Sequence, residues 1–164
     1  MKRLGLRTIV VLGSLAVAIA IGVAAAQSPQ PEATGIVAER QKLMKANGDA
    51  WKNIQDKTKA GNVADAAADA DTLAQNSTKI PALFPAGSLE GMGKTAAKPE
   101  IWQKWPEFEA AAKNMGTEAA KLRDTAKTND KMAMEAAVKD FGGKACGSCH
   151  RPFRVPPPPA PSKG

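Results

Sequence analysis

The two cysteines and the single histidine of the chain lie within five consecutive residues, Cys146, Gly147, Ser148, Cys149 and His150. This C-x-x-C-H spacing is the attachment site of a c-type haem. Each thiol can add to one haem vinyl group and form a thioether, because residues three apart on a helical turn share a face. The imidazole that follows can then bind the iron. We therefore predict one haem c per chain, held by two thioethers, with His150 as the proximal ligand.

Two other kinds of site share a C-x-x-C spacing. A dithiol redox pair normally begins a helix after a strand in a βαβ pattern, whereas this motif closes a helix-rich chain. A zinc site needs a fourth ligand, and the sequence holds no further Cys or His. Both alternatives are therefore less favoured than haem attachment.

The N-terminus has the order of a secretory signal. A basic segment up to Arg7 precedes an apolar run over residues 9–23 and the small residues 24–26, which offer an A-x-A cleavage site. The alternative is a retained membrane anchor, since the apolar run is only a little short of the ~20 residues that a span needs. We predict a signal peptide over residues 1–26, a mature protein in the periplasm and no membrane contact after cleavage.

The remaining chain is long enough for one domain. Residues 155–164 are rich in proline, which predicts an extended or disordered tail, and residues 27–154 form the predicted domain. The formal net charge of +7 comes with few aromatic residues and no concentrated block of Lys and Arg. This composition argues against binding to nucleic acid.

Four segments carry apolar residues at spacings of three and four, the pattern of amphipathic helices. They cover residues 32–59, 63–79, 99–127 and the stretch from Asn129 or Asp130 to the haem motif. Pro106 does not suit a helix interior and predicts a kink or a restart, and the connection over residues 80–98 should be irregular. We predict an all-α fold, an up-down-up-down four-helix bundle with the haem near the C-terminal helix.

A C-terminal C-x-x-C-H behind three amphipathic helices and a secretory signal resembles the class II cytochromes c, the cytochrome c′ family. Four supporting motifs occur over residues 32–154: Arg40-Gln41, Leu83-Phe84-Pro85, Pro99-Glu100-Ile101-Trp102 and His150-Arg151-Pro152-Phe153-Arg154. The resemblance implies that Cys146 and Cys149 carry the covalent links and that His150 binds the iron.

The resemblance also assigns roles on the first helix. It implies that Arg40 lies beside the haem propionates, where a charge-assisted pair is physically sensible, and that Gln41 touches the haem. Arg154 either pairs with a propionate or is solvated.

The family divides at the sixth coordination position of the iron. One branch leaves this position empty and holds a high-spin, five-coordinate haem that binds NO or CO. The other branch supplies a methionine from the first helix and is low-spin. Met44 lies one helical turn after Arg40, so the resemblance implies the branch with His and Met ligands. Met92 and Met115 are not ruled out as ligands by the sequence.

We therefore predict a periplasmic cytochrome that carries single electrons, is not an enzyme and meets redox partner proteins. The alternative is a five-coordinate cytochrome c′ that binds or sequesters NO or CO, and a third possibility is a haem subunit of a larger oxidoreductase. Family members are often homodimers. Five basic residues would either steer an acidic partner or form a solvated surface at the haem end: Lys42, Lys45, Lys144, Arg151 and Arg154.

Overall fold

The computed structural model describes residues 35–88 and 95–157. It contains six α-helices: α1 (Gly35–Ala60), α2 (Ala66–Lys79), α3 (Glu100–Gln103), α4 (Trp105–Lys127), α5 (Lys131–Phe141) and α6 (Gly147–Phe153). The predicted signal peptide and most of the predicted tail lie outside these residues. None of the helices in the described ranges is long and apolar enough to span a membrane.

The bundle is formed by α1, α2, α4 and the consecutive helices α5 and α6, as the predicted all-α architecture requires. Its tightest packing is between α2 and α4, where most of the buried side chains are small. We call this contact the alanine seam; its members are Ala66, Ala70, Leu73, Ala112, Ala119, Leu122 and Ala126, each no more than 2% exposed. A Cβ on Gly116 would lie 2.4 Å from Oγ of Ser77, so the two helices approach closely because residue 116 has no side chain.

The end of α1 and the start of α5 follow the local sequence signals. Gly61 has φ +85°, the left-handed conformation that glycine adopts readily after a helix. At the start of α5, Oδ1 of Asp130 accepts a hydrogen bond from the backbone N–H of Ala133 at 3.0 Å, which satisfies one of the free donors of the first turn. Both boundaries agree with the prediction.

The predicted third helix is divided into α3 and α4. The backbone leaves the helical region at Lys104, with φ −124° and ψ 48°, and α4 restarts at Trp105. Pro106 thus occupies the first turn of α4, where its missing N–H breaks no intrahelical hydrogen bond. The expected restart at Pro106 is confirmed.

The fourth helix differs from the prediction of one continuous helix that runs into the haem motif. A π-helical turn, Gly142–Cys146, joins α5 to α6. Phe141, Ala145, Cys149 and Phe153 follow each other at spacings of four, and in a regular α-helix each such step would rotate the side chain by about 40°. The extra residue in the wide turn offsets part of this rotation, so the buried side of α5 continues into α6.

Candidate haem site

A cavity of about 440 Å³ opens between the start of α1, the loop after α2 and α6. Its volume is within the range of small-molecule and cofactor sites. Its walls are largely apolar and include Val37, Met44, Ile80, Phe84, Ile101 and Phe108. Helices α1 and α6 both line this pocket but do not pack against each other in the described part of the chain, so the cavity separates them.

Aromatic rings form one wall of the pocket. The ring of Phe108 lies 4.9 Å from that of Phe84 and 5.4 Å from that of Phe153, in edge-to-face arrangements with interplanar angles of 64° and 90°. Aromatic pairs at these distances favour such geometries. Phe108 is therefore held between the loop after α2 and the end of α6.

The haem motif lies at the junction of the π-helical turn and α6. Cys146 ends the turn, and Cys149 and His150 follow in α6. Cys149 and His150 line the pocket, and the half-buried Cys146 packs against the core. The arrangement brings two of the three motif residues to the cavity wall.

The motif residues are held in their neutral forms. Burial raises the pKa of the Cys146 thiol, and burial together with the neighbouring Cys146 raises the pKa of Cys149 to about 11. Partial burial, and then the positive charge of Arg154, lowers the pKa of His150. A neutral imidazole is the form that binds a metal, so the local environment favours ligation.

Arg40 is buried in the pocket wall and holds the loop that follows α2. Its Nε donates to the carbonyl oxygen of Leu83, and its Nη2 donates to Oγ of Ser88. Its Nη1 donates to the carbonyl oxygen of Ser88 at 3.2 Å, and the guanidinium carbon lies 4.2 Å from the centroid of the Phe84 ring. Burial lowers the pKa of Arg40. No carboxylate within the described ranges pairs with this cation, so an anionic group at the pocket would find a positive charge already in place.

The remaining predicted residues are also placed by the fold. Gln41, an exposed residue, and the half-buried Met44 both line the pocket from α1. Met115 is buried in α4 away from the pocket lining, and Met92 lies outside the described residues. The structure thus brings Arg40, Gln41 and Met44 to the same cavity as Cys149 and His150.

A short strap closes the rim of the pocket, formed by residues 95–98 against 153–155. The backbone N–H of Lys98 donates to the carbonyl oxygen of Phe153 at 3.0 Å, and the backbone N–H of Val155 donates to the carbonyl oxygen of Ala96 at 2.8 Å. Ala97 and Arg154 form an isolated antiparallel bridge between these segments. The strap fixes the chain after the haem motif to the segment before α3.

Three residues with clear structural roles at the site were not singled out by the sequence. Phe108 is one more member of an apolar stripe there. Neither Ser88, which binds Arg40, nor Asn114, whose Nδ2 donates to the carbonyl oxygen of Lys144 in the π-helical turn, belongs to any motif. The cluster of aromatic residues between Phe84 and Phe108 is a sequence signal that could have indicated the aromatic wall. The residues present suit a haem: there is an apolar slot beside Cys149 and His150, and next to it lies Arg40, a buried cation that no carboxylate of the described ranges pairs with.

Comparison with known proteins identifies relatives over most of the chain. A family model described as Cytochrome C' matches residues 35–154. Cytochrome c' of Pararhodospirillum photometricum is 36% identical over 127 residues, which are 76% of this chain and 98% of that protein. Cytochrome c' of Rhodopseudomonas palustris is 35% identical over 125 residues, 74% and 83% of the two chains. Cytochrome c-556 of Agrobacterium fabrum is 32% identical over 126 residues, 75% and 83%.

Solved structures share the same architecture. Cytochrome c' from Rhodopseudomonas palustris superposes with a TM-score of 0.66 at 32% identity, over 76% of this chain and 99% of that one. A cytochrome c' described as having a ligand-controlled dimer dissociation has a TM-score of 0.67 at 27% identity, over 74% and 95%. The matches confirm the four-helix bundle and one covalently attached haem c per chain.

The prediction of a low-spin electron carrier with His and Met ligands was wrong. The matched family and the relatives from Pararhodospirillum photometricum and Rhodopseudomonas palustris are cytochromes c', and this name implies the high-spin type, in which the iron has five ligands. The sequence signal was ambiguous, because a methionine on an apolar helix stripe has the same pattern whether it binds a metal or fills a wall. Met44 lines the pocket with its half-buried side chain, as a wall residue does.

Proposed function

The chain belongs to the cytochrome c′ family, and we propose that it holds a five-coordinate haem c that binds NO or CO. The observation that carries this proposal is the apolar pocket between α1 and α6, with His150 in its lining and no packing contact between the two helices. Such a cavity would hold the haem between the two helices, with His150 as its protein ligand.

Three residues of the motif would hold the haem. Cys146 and Cys149 supply the thioether sulfurs, and His150 supplies the imidazole nitrogen. The proposal is supported by their positions, because Cys149 and His150 line the cavity and Cys146 lies one turn before them. It is also supported by the lowered pKa of His150, which keeps the imidazole neutral.

Arg40 and Gln41 would contact the haem from α1. The Arg40 guanidinium is buried beside the pocket without a carboxylate partner in the described ranges, and a propionate would supply the missing negative charge. Gln41 lines the same rim from a more exposed position. Together they would orient the haem edge relative to α1.

The apolar wall decides which ligands can enter. When bound, the haem would supply an iron that can take NO or CO as a ligand. Val37 and Met44 on α1 line the pocket with apolar side chains, which do not stabilise an anion or a cation removed from water. A small neutral gas meets no such penalty, so this apolar wall favours diatomic gases over charged ligands once a propionate has paired with Arg40.

The cellular setting follows from the ends of the chain and from the family. We infer that residues 1–26 are a cleaved signal, that residues 27–154 form the haem domain and that the mature protein is periplasmic. The protein would act by binding a gas and not as an enzyme, and a redox partner protein would reduce its iron. The dimer dissociation described for one relative supports a homodimer here.

Absorption spectroscopy of the purified holoprotein tests the proposal. Oxidised and reduced samples should show high-spin features, and CO added to the reduced sample should shift the spectrum, with NO giving its own distinct change. A low-spin spectrum with a methionine-to-iron charge-transfer band and no response to CO would overturn it. Covalent haem is verified first by the mass of the denatured chain, so that a negative gas result cannot come from missing haem.

A further inference from the structure

The π-helical turn Gly142–Cys146 ends at the first cysteine of the haem motif and is one residue wider than an α-helical turn. The backbone N–H of Gly147 donates to the carbonyl oxygen of Gly142, five residues earlier. Wide turns of this kind occur often at functional sites. Because α6 begins directly after this turn, the turn determines where Cys149 and His150 lie.

Side chains bind two carbonyl groups of this turn. Nδ2 of Asn114 donates to the carbonyl oxygen of Lys144 at 2.7 Å and lies 3.4 Å from Oγ of Ser148. Nη2 of Arg151 donates to the carbonyl oxygen of Gly143 at 3.3 Å. Asn114 belongs to α4, whereas Arg151 belongs to α6 itself. Asn114 is therefore the side chain that joins the motif to the rest of the bundle through these carbonyls.

Helix α6 is short and is held at both ends. It has seven residues, and Pro152 inside it cannot donate a backbone hydrogen bond. At its C-terminal end, Phe153 packs edge-to-face against Phe108, and its carbonyl oxygen accepts a hydrogen bond from the backbone N–H of Lys98 at 3.0 Å. At its N-terminal end, the amide of Asn114 provides directional contacts from α4. Such contacts can fix the rotation of a helix, which apolar contacts fix less well because they lack direction.

We propose that Asn114 is a positioning residue for the haem, an inference that rests on the proposed role of the motif. Its amide holds the Lys144 carbonyl and reaches the serine inside the C-x-x-C-H. This tether keeps Cys149 and His150 in one orientation relative to the pocket. Because the imidazole is attached to α6, the tether would also limit the orientations in which His150 can bind the iron.

Two substitutions remove the donor in different ways. Asn114→Ala deletes the amide, and Asn114→Asp keeps its shape but turns a carboxylate oxygen toward the carbonyl of Lys144. Asn53→Ala is the matched control, because Nδ2 of Asn53 makes an exposed hydrogen bond to Asp69 at 3.2 Å, away from the pocket. Leu122→Val in the alanine seam is a second control that lowers stability on the same helix as Asn114.

The holoproteins are compared by three measurements. In both Asn114 variants, the iron–histidine band in the resonance Raman spectrum of the reduced protein should broaden or shift, and CO dissociation should change at least threefold. Hydrogen exchange at the backbone amides of residues 145–150 should become about tenfold faster. Both controls should match the unsubstituted protein in all three.

A purely structural role would give a different result. If the Asn114 variants unfold at lower temperature but keep the band, the CO rate and the exchange rates, the proposal is wrong. It is also wrong if Leu122→Val produces the same changes. Should the unsubstituted protein itself fail to bind CO, the proposed gas-binding function fails, and the exchange rates of residues 145–150 alone decide on Asn114.

Discussion

The alanine seam and the pocket are built from opposite kinds of side chain. In the seam, α2 and α4 are regular helices that meet through small residues, and a Cβ on Gly116 would clash with Ser77. Around the pocket one wall consists of aromatic rings, and the chain departs from a regular helix at Lys104 and at the π-helical turn. Small residues let two helices approach closely, whereas at the pocket bulky side chains and interrupted helices keep α1 and α6 apart.

The two regions also depend on different forces. The seam is held by apolar contact, which has no direction. The pocket wall depends on hydrogen bonds to loop carbonyls, both from Arg40 and from Nε1 of Trp102, which lies 3.0 Å from the carbonyl oxygens of Phe84 and Pro85. A change in the seam should therefore alter stability, and a change at the pocket should alter haem and ligand binding.

The largest effect is expected from the loss of both thiols. Cys146→Ser combined with Cys149→Ser should abolish covalent haem, because no sulfur remains to form a thioether. A haem-stained denaturing gel and the absorption spectrum measure this. Cys146→Ser alone is the control and should retain partial attachment through Cys149. Covalent haem in the double variant would remove the motif from its proposed role.

Substitution of Arg40 should have the next largest effect. Arg40→Leu leaves the carbonyl groups of Leu83 and Ser88 without their charged donor, and the expected loss is about 3 kcal/mol in the free energy of unfolding. Urea denaturation measures this, and hydrogen exchange should accelerate at residues 83–88. Arg123→Leu is the control: Arg123 pairs with surface carboxylates, so a much smaller change is expected. Equal losses would mean that the loop does not depend on Arg40.

A methyl group added to the seam should lower stability without affecting the pocket. In Gly116→Ala the new Cβ meets Oγ of Ser77, and we expect a loss of about 1–2 kcal/mol in the free energy of unfolding. Ser77→Ala removes that oxygen and should restore most of the loss in the double variant. CO binding should be unchanged throughout. A slower or weaker CO reaction in Gly116→Ala would show that the two regions are coupled.

The smallest expected effect is at the pocket wall. Met44→Ala widens the cavity and should raise the rate of CO association about threefold, a change below 1 kcal/mol in activation free energy. Flash photolysis of the CO complex measures the rate. The spin state should not change, because the proposed iron already has an open position. Met132→Ala, at a residue that is 81% exposed, is the control. A conversion from low to high spin in Met44→Ala would contradict the proposal.

The helices and their ends could be predicted from the sequence, because their signals are local. Spacings of three and four located the helices, Asn129 or Asp130 marked the start of α5 and Pro106 marked the restart at α4. The haem motif was equally local, and its place in the chain led to the correct family. Each of these features depends on residues within a few positions of one another.

The pocket could be predicted only in part, because its contacts join distant residues. Arg40 binds carbonyl groups 43 and 48 residues away, and Asn114 binds one 30 residues away. No local pattern encodes such pairs. The π-helical turn was missed because a spacing of four fits both an α-helix and a wider turn. Met44 was misjudged because its helix position indicates that it lines the pocket and does not determine whether it binds iron.

The absence of a side chain at Gly147 links two positions that a motif search treats as unrelated. A Cβ there would lie 2.8 Å from Nη1 of Arg151, the guanidinium that reaches back to Gly143. Position 147, the first variable position of C-x-x-C-H, can therefore hold a larger residue only where the side chain at position 151 is shorter or turns away. Randomising both positions together should return correlated choices, with glycine retained beside arginine and larger residues selected beside small ones.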